Sequence, residues 1–149
     1  DPAAGIEDAL LHHAEKYVPG FRDRLKGLID ISRENGIIPV FITQPMLFGE
    51  GVDPVTGVDL SAVILDERTT GLAGWEILKL YNETIIDVGR QESVLVIDLA
   101  GEMEKSSEYF YDTLHFTNSG SAEVARIICG HLKEYLGRRG RDGSSSDRS

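Results

Sequence analysis

Asp112 and His115 stand three residues apart in the stretch YFYDTLHFTNSGSAEVA, residues 109–125. In a tight turn that spacing lets the carboxylate accept a hydrogen bond from the imidazole Nδ1–H. The bond fixes the tautomer, leaves Nε2 to take a proton from a hydroxyl nucleophile, and stabilises the imidazolium formed on the way. An orienter and a base of a Ser-His-Asp relay would then be in place. The competing role is structural: both residues help start the following helix, with Thr117 or Asn118 as its N-cap. On four residues alone the structural role is the commoner one, because Asp-x-x-His arises easily by chance.

A relay also needs a nucleophile. Ser32, Ser61, Ser93, Ser106 and Ser107 lack the strand-turn-helix setting that exposes a catalytic serine, and Asp142-Gly143-Ser144 lies in a polar tail. Other chemistry is thinner still. His12 and His13 are adjacent, so on a helix they point about 100° apart, which is poor geometry for a shared metal. Asp98 with Asp112 and His115 would normally need a further ligand at readable spacing to hold a metal. No metal or cofactor is expected. Glu102, Glu104 and Glu108 read as a solvated acidic face, and Trp75 and Tyr81 as core. Cys129 is the only cysteine, which excludes an internal disulfide; its apolar helical surroundings predict a buried, inert thiol.

The elements that must hold the pair follow from periodicity. Residues 1–5 read as a loop and 6–18 as a short helix stopped by Pro19-Gly20. Phe21, Leu25, Leu28, Ile29 and Ser32 then fall at helical spacing, with Gly36 where a left-handed cap is wanted. The run IIPVFIT, residues 37–43, has the near-continuous apolar character of a strand buried on both faces, with Pro39 near its beginning. Residues 44–74 are broken by Pro and Gly, with 58–65 the one patch that could be a short helix. So long a loop is usually functional, and Gln44, Met46 and Phe48 are its candidates for contacting substrate. Met46, Leu47 and Phe48 either line a pocket or pack beneath their own loop. Trp75, Leu78, Tyr81, Ile85 and Val88 mark an amphipathic helix ending near Gly89. VLVIDL, residues 94–99, is the second buried strand, and 119–136 the last helix, striped by Val124, Ile128, Leu132 and Leu136.

Strands separated by helices imply right-handed crossovers and a parallel sheet, hence an α/β fold. Two strands are few for a free-standing α/β domain, so the chain reads as the back half of a larger one. Residues 1–136 form its ordered part, and 137–149 a polar tail expected to be disordered. The 149 residues carry 15 Lys and Arg against 25 Asp and Glu, a net charge of -10. That excess disfavours nucleic acid and anionic lipid surfaces, and no apolar run reaches the ~20 residues of a membrane span. The chain opens on Asp1-Pro2, so any targeting segment could lie upstream and the compartment stays open.

The strand ending in Ile97-Asp98-Leu99, the loop with Tyr111-Asp112-x-x-His115-Phe116-x-x-x-Gly120, and the Ala-containing last helix resemble the final conserved block of the SGNH/GDSL hydrolases. Residues 38–45, IPVFITQP, look like that family's penultimate strand and the loop after it. The resemblance covers roughly residues 21–136. It implies the C-terminal part of a flavodoxin-like, three-layer α/β/α fold with parallel strands. It also implies carboxylic ester hydrolysis, with His115 as base and Asp112 as its orienter. The family's Gly-Asp-Ser nucleophile block and its oxyanion glycine and asparagine blocks do not appear, so the chain alone is expected to be inactive. A non-catalytic binding or assembly module on the same scaffold is the alternative. In either case the first strand would expose an edge, predicting pairing with a missing N-terminal part or a second copy.

Overall fold

Two short parallel strands, β1 (Val40–Ile42) and β2 (Leu95–Ile97), lie at the centre of the chain. They are seen in a computed structural model that describes residues 2–67 and 69–145. Val40 stands opposite Leu95, Phe41 opposite Val96 and Ile42 opposite Ile97. Side chains alternate across a strand, and here helices pack against both faces, although β1 itself stays partly exposed. Phe41 and Val94 pack with Leu25, Ile29 and Val88 from α2 (Val18–Glu34) and α3 (Gly71–Gln91). Val40, Leu95 and Ile97 pack with Val124, Ile127 and Leu132 from α5 (Asn118–Ser145). α1 (Pro2–Lys16) lies against α2 and α3, and the single turn α4 (Leu99–Glu102) follows β2. The architecture is mixed α/β with parallel strands, as helices alternating with apolar runs predict.

Several local expectations are corrected. Pro19-Gly20 does not stop a helix but sits in the first turn of α2, where proline's fixed φ and missing N–H suit it. Residues 2–5 belong to α1 rather than to a loop. The first apolar run is not buried on both faces: Ile37, Ile38 and Ile42 are all exposed. β1 has β2 as its one neighbour among the described residues, so its outer side is open. Residues 58–65 form no helix. Isolated antiparallel bridges join Val52 to Asp59 and Ile64 to Thr70, and Asp59 accepts from the Ser61 amide and hydroxyl instead. α3 ends at Gln91, near Gly89 as expected, and the glycine lets the helix close on β2, where an added Cβ would sit 2.1 Å from Val96 Cγ2. Gly36, at φ 67°, takes the expected left-handed conformation.

α5 continues through Ser145, beyond the apolar stripe that ends at Leu136. The last part of the expected tail, 146–149, lies outside the described residues. Cys129 is exposed, not buried. It sits one step round α5 from Ile128 and about 200° from buried Ile127, so it faces away from the sheet.

Candidate active site

The loop between α4 and α5 folds back on itself. Phe110 bridges Phe116, and the Tyr111 amide donates to the His115 carbonyl at 3.1 Å. Inside this turn Asp112 Oδ1 accepts the amides of Leu114 at 2.9 Å and His115 at 2.8 Å. His115 Nδ1 lies 2.8 Å from Asp112 Oδ2 and 3.0 Å from Oδ1. One carboxylate therefore makes the turn and holds the imidazole. These donors, the His115 amide foremost and the Leu114 amide next, hold the Asp112 carboxyl below its ordinary range. The imidazole stacks on the Tyr111 ring at 5.6 Å, and its side chain is 70% exposed, leaving Nε2 accessible.

The turn is anchored at both ends. Phe110 is buried and packs on Phe116 at 5.2 Å. Thr117 caps α5, its hydroxyl accepting from the Gly120 amide at 3.0 Å and donating to the Glu108 carbonyl at 2.6 Å. The helix start is thus Thr117's work, and Asp112 is left to His115. Gly120 sits so close to the Tyr109 carbonyl that an added Cβ would meet its oxygen at 2.0 Å.

The loop after β1 runs alongside. The Leu47 amide donates to the Thr113 carbonyl at 3.1 Å, joining this loop to the Asp112–His115 turn. Met46 and Leu47 are buried and Phe48 is half-buried, so the trio packs beneath its own loop; Gln44 is exposed. Asn82 holds the backbone of Gln44 as a strand would, accepting its N–H and donating to its carbonyl, each at 2.9 Å.

Three further residues organise the site without an obvious sequence signal. Lys105 Nζ donates to the Met46 carbonyl at 2.9 Å and the Phe48 carbonyl at 3.0 Å, and lies 3.3 Å from the centre of the Trp75 ring. Burial pushes its ammonium down to about 8. Asp53 is buried and accepts from the Thr56 hydroxyl and from the Ser107 amide and hydroxyl at 3.0 and 2.7 Å. The Thr56 hydroxyl foremost, with the Ser107 donors, holds its carboxyl well below the usual carboxylate range. Thr43, buried at the end of β1, donates to Asp98 Oδ1 at 2.8 Å and accepts from the Ala100 amide at 2.9 Å. Only the turn pattern of the aspartates was open to a sequence reader; their long-range partners were not.

The remaining candidates are elsewhere. Asp98 is committed to Thr43 and the Gly101 amide. It lines a groove of about 250 Å³ with Trp75 and Asn82, which takes in neither Asp112 nor His115. His13 bonds the Tyr81 hydroxyl at 2.9 Å, and its ring stands 6.3 Å from that of His12. Glu102 pairs with His131 at 2.6 Å, so that acidic face is partly engaged. Among the described residues, no three His, Cys, Asp or Glu side chains gather as a metal site would require.

Fold and turn together define an α/β chain that presents a hydrogen-bonded His–Asp pair in the loop following the second of two parallel strands. Over 127 residues the chain is 29% identical to the GDSL esterase/lipase WDL1 of Oryza sativa subsp. japonica, covering 80% of this chain and 44% of that protein. This supports a GDSL-like relationship, and the chain spans less than half the length of the curated relative it matches. No family model matches the sequence. No solved structure matches the chain.

Proposed function

We propose that this chain is the base-bearing part of a serine ester hydrolase that works through an acyl-enzyme. His115 Nε2 removes the proton of a serine hydroxyl as it attacks the ester carbonyl, then returns it to the departing alcohol. Asp112 holds the Nδ1–H tautomer and stabilises the imidazolium between those steps. The reading rests on one observation above others, the 2.8 Å contact between His115 Nδ1 and Asp112 Oδ2 in a turn closed by backbone amides rather than by the imidazole. The esterase/lipase name of the rice relative supports the reaction class. The nucleophile and oxyanion donors lie outside these 149 residues. Gln44 contacts the substrate from the loop after β1, and Met46 and Phe48 shape that loop from beneath.

The test is ester hydrolysis by the longer protein containing this chain, with and without His115→Ala. Loss of the base should lower kcat by about 10²–10⁴-fold; equal rates would overturn the assignment. The 149-residue chain alone should neither hydrolyse p-nitrophenyl esters nor be labelled by a fluorophosphonate. The second reading, a binding or assembly module, is favoured by the serines themselves. Ser61 and Ser107 donate to Asp59 and Asp53, and Ser106 is buried. A longer protein lacking any serine that reacts with a fluorophosphonate would select it.

A further inference from the structure

The Asp112–His115 turn is exposed, yet the backbone beside it is held by a half-buried ammonium. Lys105 takes the Met46 and Phe48 carbonyls at 2.9 and 3.0 Å. The Leu47 amide between them donates to the Thr113 carbonyl at 3.1 Å. Thr113 stands between Asp112 and the Leu114 amide that Asp112 binds. Leu47 also joins the buried cluster containing Phe110 and Met103, on the two sides of Lys105 in sequence.

We propose that Lys105 is a positioning residue for the His115–Asp112 pair, acting through the backbone of Leu47 and Thr113. The side chain suits the task chemically. An ammonium offers three donors and no acceptor; two donors meet carbonyls, and the charge lies over the Trp75 face at 3.3 Å. Such a cation grips carbonyl oxygens that a neutral apolar side chain would leave unsatisfied under the loop. Trp75 belongs to α3, so the clamp refers the turn to the helix packed on the sheet rather than to the loop alone. The inference rests on the ester-hydrolase reading for what the pair does, but not for how the pair is held.

Lys105→Met keeps the length and the contact with Trp75 while removing every donor; Lys105→Arg keeps charge and donors. In the 149-residue chain, nuclear magnetic resonance should show Leu47 amide exchange accelerated about tenfold or more in Lys105→Met. The His115 Nδ1-bound proton should move or broaden, while the amides of Val88 and Ile97 keep their protection. Lys105→Arg should restore both signals. In the longer enzyme, kcat should fall about tenfold with little change in KM. Unchanged Leu47 and His115 signals would overturn the proposal. So would a uniform loss of protection that included Val88 and Ile97 and was not restored by arginine. Should Lys105→Met not fold, Lys105→Gln, neutral with its amide donors retained, must show the same local signature in weaker form; a wild-type spectrum from it would equally overturn the proposal. A longer protein without esterase activity, but with the Lys105 signature intact, would remove the reaction and leave the positioning role standing.

Discussion

Asp112 does two things with one carboxylate, and substitutions can separate them. Its Oδ1 accepts two amides and closes the turn; Oδ2 meets His115 Nδ1 at 2.8 Å. Asp112→Asn keeps an oxygen for the amides but turns an NH₂ toward the ring, favouring the wrong imidazole tautomer. On the proposed hydrolase reading, the turn should persist and kcat of a longer protein containing this chain should fall by roughly 10³–10⁴-fold; an intact His115 amide signal with lost activity would show it. Asp53 gives a second test. Its folded carboxyl is held below the ordinary 3.8, so its contribution is complete above that value and lost as pH falls below it. The urea midpoint gap between the wild type and Asp53→Asn should therefore be widest near neutral pH and narrow below about pH 4. A gap that widened on acidification would contradict the sign.

At the level of elements, the close fit of α5 against the turn hangs on Gly120. An alanine Cβ there would meet backbone, the Tyr109 carbonyl oxygen, at 2.0 Å. Backbone cannot rotate away, so Gly120→Ala should cost about 1–3 kcal/mol, measured as a lowered urea midpoint. The elements that were legible in the sequence are those whose signal is local. Apolar runs marked β1 and β2, 3.6-residue periodicity marked α3 and α5, and Asp-x-x-His marked the pair. Errors arose where local signals carry two meanings. Pro19 starts a helix as readily as it ends one, and an apolar run does not reveal which side of an edge strand is open. The loop of residues 44–70 was illegible for a different reason. Its order comes from partners far along the chain, Asp53 to Ser107, Asn82 to Gln44 and Lys105 to Met46, which no window of sequence contains.

For the whole molecule, the decisive feature is the open side of β1. Ile38 just before β1 and Ile42 within it are 53% and 39% exposed, whereas Ile97 of β2 is fully buried. Leu28 and Ile31 of α2 are exposed as well. An unpaired strand edge with apolar neighbours is a template for another strand. We propose that it pairs with a preceding part of the longer protein, or with a second copy when the 149-residue chain is alone. Charge sets how strongly copies can pair. Each carries -10, and that repulsion reaches about 30 Å at 0.01 M salt but only about 8 Å at 0.15 M. Self-association of the isolated chain should therefore strengthen with added salt, opposite to a contact held by ion pairs. Light scattering across salt and protein concentration would measure it, and replacing Ile38 and Ile42 together by lysine should abolish it. A chain that stays strictly monomeric at high salt and high concentration would exclude self-pairing through this edge.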